Sequence, residues 1–173
     1  YDYDSVQVPV LVDRDWQGKP AKLMLWANRN GYFYVLDRVT GKFLLGKPFV
    51  KVNWSSGLDE NGRPIPTPQP DGMPTWPGNQ GGTNWYPPSY SPRTDLFYFS
   101  AWEDYATIYQ AIEQEYVPGG LFLGGGFSVK VPVHGAPTIG IGRTWPINYW
   151  TDEVGHASLM AMDPDTGQAV WKY

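Results

Sequence analysis

The sequence has no cysteine among its 173 residues. This excludes disulfides, a thiolate metal site, a c-type haem attachment and a cysteine nucleophile within the stretch. Long apolar runs are absent too, and none approaches the roughly 20 residues that a membrane-spanning helix needs. Charge of one sign is also scarce. Thirteen Lys and Arg stand against seventeen Asp and Glu, a net charge of −4. The basic residues are scattered, which leaves nucleic acid without an electrostatic footprint. The sequence opens on Tyr1-Asp2-Tyr3-Asp4, and no charged-then-apolar signal pattern lies within it.

What is present points to β-structure. Seventeen prolines and twenty glycines punctuate the chain too often for long helices. Nine tryptophans and twelve tyrosines suit a pleated surface. Strand-like runs cover 6–12, 22–27, 32–36 and 42–45, with a polar turn expected at 13–18, Asn28-Arg29-Asn30-Gly31 as a tight turn, and Asp37 to Gly41 closing the third hairpin. A second set follows at 85–91, 96–102, 156–162 and 168–173. The turn Asp-x-x-Thr-Gly recurs at Asp37–Gly41 and Asp163–Gly167, at the same place in each set. Its Asp accepts hydrogen bonds from turn amides and its Gly takes positive φ. Two copies in equivalent places predict an all-β fold of repeated four-stranded antiparallel propeller blades.

The organisation expected is a blade over 6–50, a loop over 51–83, and a second blade over 84–173 with an insertion at 103–155. A short helical turn is expected around Tyr109 to Glu115. Trp54, Trp76, Phe122, Trp145 and Trp150 argue against reading the long loops as flexible linkers. Both ends of the chain read as cuts, so it is expected to be an internal piece of a larger propeller.

Four stretches carry a family resemblance. Ala161 to Trp171 resembles the tryptophan-docking motif Ala-x-Asp-x-x-x-Gly-x-x-x-Trp of quinoprotein alcohol dehydrogenases, which use pyrroloquinoline quinone (PQQ). The first blade carries Val35, Asp37 and Gly41, with Leu45 in the place of Trp. Tyr1 to Gln7 is similar to the family's Trp-Asp-Tyr segment, Trp26 to Arg38 to its quinone-binding Arg-Asn-Gly segment, and Gly82 to Pro87 to its Asn-Trp segment. The resemblance implies an eight-bladed propeller, with PQQ near its axis and about two blades supplied here. It further implies oxidation of a small alcohol, transfer of electrons to a cytochrome c, a periplasmic location, and membrane association only through partners. Calcium is the implied metal, with a lanthanide as the other choice. The main metal ligands, a vicinal disulfide and a stacking Trp are expected upstream, so the piece alone is expected to be inactive.

The resemblance assigns Asp2 as the general base that takes the alcohol's proton, close to the metal ion. Asp4 is its rival, and the Tyr-Asp-Tyr register favours Asp2. A carboxylate with an ordinary pKa near 4 is ionised at neutral pH and suits that task. Arg29 would bind the quinone oxygens through its planar fork. Asn84 would donate and accept at the rim, and Trp85 would supply a flat wall. On residue type alone, Asp2 reads as a solvated or turn-capping aspartate, Arg29 as a surface residue of a hairpin, and Asn84-Trp85 as a strand start before a core aromatic; the motif context favours the functional roles. His134 and His156 lack metal-ligand spacing. Glu103-Asp104 and Glu113-Gln114-Glu115 read as solvated loop charges. Gly124-Gly125-Gly126 lacks the spacing of a phosphate loop. Two other functions remain open, a non-catalytic propeller scaffold and a carbohydrate-binding propeller. A scaffold has no need of Asp2, Arg29 and Asn84-Trp85 together, which favours the enzyme.

Overall fold

Alternating apolar residues build the first sheet. The computed structural model describes residues 3–111, 113–120, 122, 125–126, 147–150 and 156–173. Strands β1 (Val10–Trp16), β2 (Lys19–Ala27), β3 (Tyr32–Asp37) and β4 (Phe43–Pro48) pair antiparallel in chain order. Leu23, Leu25 and Ala27 alternate into the core along β2, while the intervening residues stay partly exposed. The polar run expected as a turn at 13–18 belongs mostly to β1, and only Gln17 and Gly18, both at positive φ, close the hairpin. The reason lies in its partners. Asp13 pairs with Arg38 at 2.7 Å, so polar side chains are satisfied on an extended edge strand.

Next come β5 (Ser55–Leu58) and β6 (Pro64–Pro66), which form a small hairpin, and then β7 (Pro74–Thr75). Strands β8 (Ser89–Ser91), β9 (Leu96–Glu103), β10 (Tyr105–Ile108), β11 (Gln110–Ala111), β12 (Gly125–Gly126) and β13 (Ile147–Trp150) follow. β10 lies between β7 and β13, and β11 pairs with β12. The last strands are β14 (His156–Met162) and β15 (Ala169–Lys172), which complete a second antiparallel sheet in the order β8-β9-β14-β15. No helix occurs among the described residues: where a helical turn is expected from Tyr109 to Glu115, Tyr109 precedes the short strand β11, residues 113–115 have no regular structure, and Ile112 lies outside the described residues. The strand expected from Trp85 begins only at Ser89, because Pro87 and Pro88 bring no N–H to a ladder.

The repeated turns adopt one geometry. Asp37 Oδ1 accepts the amides of Val39 (2.8 Å) and Thr40 (2.9 Å), and Asp163 Oδ1 accepts that of Asp165 (2.8 Å). Those amides hold the Asp37 carboxyl below its usual range. Gly41 and Gly167 take φ of 75° and 64° and donate to the Asp carbonyls.

The two sheets pack face to face over one core. Leu23, Leu25, Phe33 and Val35 of the first meet Phe97, Phe99, Ala101, Met160 and Met162 of the second. Phe33 and Phe97 lie with centroids 5.3 Å apart, and Phe49 meets Phe99 edge-on at 4.8 Å. Leu45 packs against the turn after β14. A Cβ at Gly167, which sits at φ 64°, would lie 2.7 Å from Leu45 Cδ2 and 2.8 Å from Lys47 Cγ, so the turn approaches the first sheet closely. Trp171, by contrast, leans on Tyr98 of its own sheet (5.8 Å) and remains 41% exposed.

An ionic staple joins the sheets as well. The Arg14 guanidinium binds Asp95 (2.9 and 2.6 Å) and Asp165 (2.9 and 2.9 Å), in both cases with two nitrogens. Burial alone would raise the Asp95 carboxyl, but hydrogen bonds from Arg14 and Tyr90 outweigh it and hold the group below its usual range. The stability this gives is present above the ordinary carboxylate value and fades as pH falls through the lower folded one. Arg14→Ala is therefore expected to cost about 1–3 kcal/mol at pH 7. It should also flatten the acid loss of stability below about pH 4, read as urea midpoints against pH.

Candidate functional site

The tight turn after β2 places Arg29 at one end of the first sheet. Asn28 Oδ1 accepts the amide of Asn30 (3.1 Å), Asn30 Oδ1 accepts that of Tyr32 (3.0 Å), and Gly31 takes a φ of 93°. Trp54 Nε1 caps the turn from outside by donating to the Asn30 carbonyl at 3.1 Å. Asn30 Nδ2 donates to the Tyr34 hydroxyl at 2.8 Å, and burial pushes that hydroxyl up to about 12.

A glycine-rich loop, residues 78–82, folds over this turn. Gly82 N–H donates to the Arg29 carbonyl at 2.9 Å. A Cβ on Gly81, at φ +84°, would meet the Arg29 carbonyl oxygen at 2.6 Å. On its other side the loop rests on β10, where a Cβ on Gly78 would strike the Tyr105 ring at 2.5 Å. Asn79 Oδ1 accepts from the Tyr105 hydroxyl (2.7 Å), and its amide donates to Thr107 Oγ1 (2.8 Å). Burial raises the Tyr105 hydroxyl well above its ordinary value, so it serves as a neutral donor.

Arg29 is thus fixed but not saturated. Its Nη2 donates to the Asn79 carbonyl and its Nη1 to the Asp4 carbonyl at 3.3 Å. Its Nε is buried without a hydrogen-bond partner among the described residues. Gln7 is 5% exposed, and both atoms of its amide are likewise unpartnered. Buried donors are nearly always paired, so an orphan on a charged guanidinium marks a place for an acceptor from elsewhere.

Asn84 joins the same loop from its far end. It is 8% exposed, donates from Nδ2 to the Gln80 carbonyl (2.8 Å) and accepts the Trp85 amide on Oδ1 (2.8 Å). Trp85 is 65% exposed in this chain, and its ring lies 5.0 Å from that of Tyr86. Asp2 lies outside the described residues, as does His134. Glu103 corrects the solvated-loop reading. It ends β9, accepts from Ser158 Oγ at 2.8 Å and pairs with Lys172. Burial opposes ionisation there, yet Lys172 and Ser158 hold the carboxyl below its usual range. Asp104 is also largely buried, 4.0 Å from Lys51, whereas Glu113 and Glu115 are exposed as expected. His156 lies 3.6 Å from Glu103. No group of three or more His, Cys, Asp or Glu able to hold a metal occurs among the described residues. Sequence reasoning missed Asn28, Asn79, Tyr105 and Thr107. Only the glycines around Asn79 hinted at a close approach.

Fold and site together define propeller blades with an arginine-bearing cluster of polar side chains and carbonyls at one end of the sheets. The comparisons agree. No protein-family model matches this chain. It is 46% identical over 109 residues to 1-butanol dehydrogenase (cytochrome c) of Thauera butanivorans, covering 58% of this chain and 15% of that protein. It is 35% identical over 185 residues to the quinoprotein alcohol dehydrogenase PedH of Pseudomonas putida, covering 100% of this chain and 28% of that one. A solved europium-containing methanol dehydrogenase superposes with a TM-score of 0.77 at 28% identity, over 100% of this chain and 28% of that chain. The chain belongs to the quinoprotein alcohol dehydrogenase family, and it spans between about a seventh and just over a quarter of the length of these relatives.

Gly81→Ala is expected to cost about 1–3 kcal/mol in urea unfolding, from a strained φ and a methyl forced into the Arg29 backbone.

Proposed function

We propose that this chain supplies the proton-abstracting base and one side of the quinone pocket of a periplasmic PQQ-dependent alcohol dehydrogenase that passes electrons to a cytochrome c. The observation that carries the reading is Arg29, locked by two carbonyls and a glycine loop with its buried Nε unpartnered. A guanidinium in that state fits the carboxylate and carbonyl oxygens of PQQ. Membership of the family supports the same reading over a non-catalytic scaffold or a sugar-binding propeller.

When bound, PQQ would take up the hydride, and a cation beside it would act as a Lewis acid. Calcium is the ion the family resemblance implies, and likeness to a europium-containing enzyme supports a lanthanide in its place. The ion's main ligands are expected outside the described residues, with Asp2 alongside. The chain's own residues do the rest. Asp2, ionised at neutral pH, takes the hydroxyl proton as the alcohol becomes an aldehyde. Arg29 donates to the ligand's anionic oxygens and stabilises the charge that grows on reduction. Asn84 holds the loop end and borders the rim, and the exposed Trp85 gives the pocket an apolar wall.

The test uses the full-length protein loaded with PQQ and either calcium or a lanthanide, followed by alcohol-dependent dye reduction. Asp2→Asn is expected to lower turnover by about 10²–10⁴ with PQQ still bound. Turnover retained in that variant would remove Asp2 from its role. Arg29→Gln is expected to weaken PQQ binding by about 2–4 kcal/mol in titrations of the apoprotein, through loss of charge-assisted hydrogen bonds.

A further inference from the structure

The residues that follow Asp2 are tied down by side chains from several parts of the fold. The Tyr3 hydroxyl donates to the Pro77 carbonyl, and its ring lies 5.2 Å from that of Trp54. The Asp4 carbonyl accepts from Arg29, and the Gln7 carbonyl accepts from Trp26 Nε1 at 3.0 Å. Between them, Ser5 Oγ accepts from Asn28 Nδ2 at 2.7 Å. That bond joins two side chains, and its donor has a second task.

Asn28 is 4% exposed and belongs to the turn that presents Arg29. Its Oδ1 accepts the Asn30 amide, its carbonyl accepts the Gly31 amide at 3.0 Å, and its own amide donates to the Tyr32 carbonyl at 3.0 Å. One side chain therefore shapes the Arg29 turn with its oxygen and grips the segment bearing Asp2 with its nitrogen. A base works only within hydrogen-bond reach of its proton, and a misplacement of about 1 Å can cost about a hundredfold in rate.

We propose that the Ser5–Asn28 hydrogen bond is a positioning contact that ties the segment following Asp2 to the turn that presents Arg29. It rests on the reading of Asp2 as base and Arg29 as quinone ligand. Ser5 touches neither alcohol nor quinone; it acts through the segment it anchors. Losing its hydroxyl leaves the Asn28 turn intact on Oδ1 and frees the segment two to three residues from the base.

The test is Ser5→Ala in the full-length, PQQ- and metal-loaded protein, with Ser5→Thr as the rescue and Asp2→Asn as the reference. The expected result has four parts: kcat falls about tenfold, KM changes less than about twofold, PQQ affinity of the apoprotein and the thermal midpoint hold, and Ser5→Thr restores turnover. Wild-type turnover in Ser5→Ala overturns the proposal, while an inactive Asp2→Asn still upholds the base. Equal losses of kcat, PQQ affinity and thermal midpoint in Ser5→Ala also overturn it, since they show a structural role alone. An active Asp2→Asn would instead sink the underlying reading of the base.

Discussion

The packing of one sheet against the other at Phe33, Phe97, Phe49 and Phe99 governs everything else in this chain. Phe49 reaches beyond the end of β4 and meets Phe99 edge-on, so the core extends to the end of the sheets where Arg29 stands. The loop over Arg29 rests on the same residues. A Cβ on Gly82 would lie 2.6 Å from Val50 and 3.1 Å from Phe49. Apolar burial thus sets the height of the loop above the turn, and the loop's carbonyl at Asn79 then aims the guanidinium. Each step is a close contact with little slack, which is how a packed interior transmits position.

Glycine makes that transmission possible at some expense. Gly78, Gly81 and Gly82 bring loop backbone within reach of Tyr105, Arg29 and Phe49, where any side chain would collide. Such residues lose more conformational freedom on folding than others. The orphan Nε of Arg29 adds a second cost, the desolvation of a donor with nothing to bind. A sequence selected for stability alone would avoid both. Their coincidence at one place is the pattern of a functional site, where local rules are broken together.

The sequence made the first sheet legible because its strands obey period-two alternation and its turns carry Asn-Gly and Asp-x-x-Thr-Gly. The second Asp-x-x-Thr-Gly turn and β14 were legible for the same reason. β1 was misplaced because Asp13 to Asp15 look like a turn until Arg38 and the Arg14 staple supply partners from distant residues. Those pairings span most of the chain and leave no local trace. Arg29, Asn84 and Trp85 stand out in the sequence only by their resemblance to family motifs, and their settings are not legible there. Asn84 reads as a free donor and acceptor, whereas its amide is engaged with Gln80 and Trp85. Leu45 departs from the docking motif but still packs on Gly167, since the contact requires an apolar side chain against a bare Cα and not an indole in particular.

The two kinds of cross-sheet attachment lie at opposite ends of the strands. Arg14 binds the turn before β9 and the turn after β14, while Gly82 accepts the Trp102 amide near the far end of β9. At about 3.3 Å per residue, the length of β9 puts them on the order of 20 Å apart. That exceeds two Debye lengths at physiological ionic strength, each about 8 Å. The carboxylates of Asp95 and Asp165 therefore add little to the field at Arg29, whose environment is set by neutral carbonyls, Tyr105 and Asn79. The far end can hold the sheets together with charge, while at the other end the contacts of Arg29 among the described residues are neutral carbonyls, which leave its Nε for an acidic ligand.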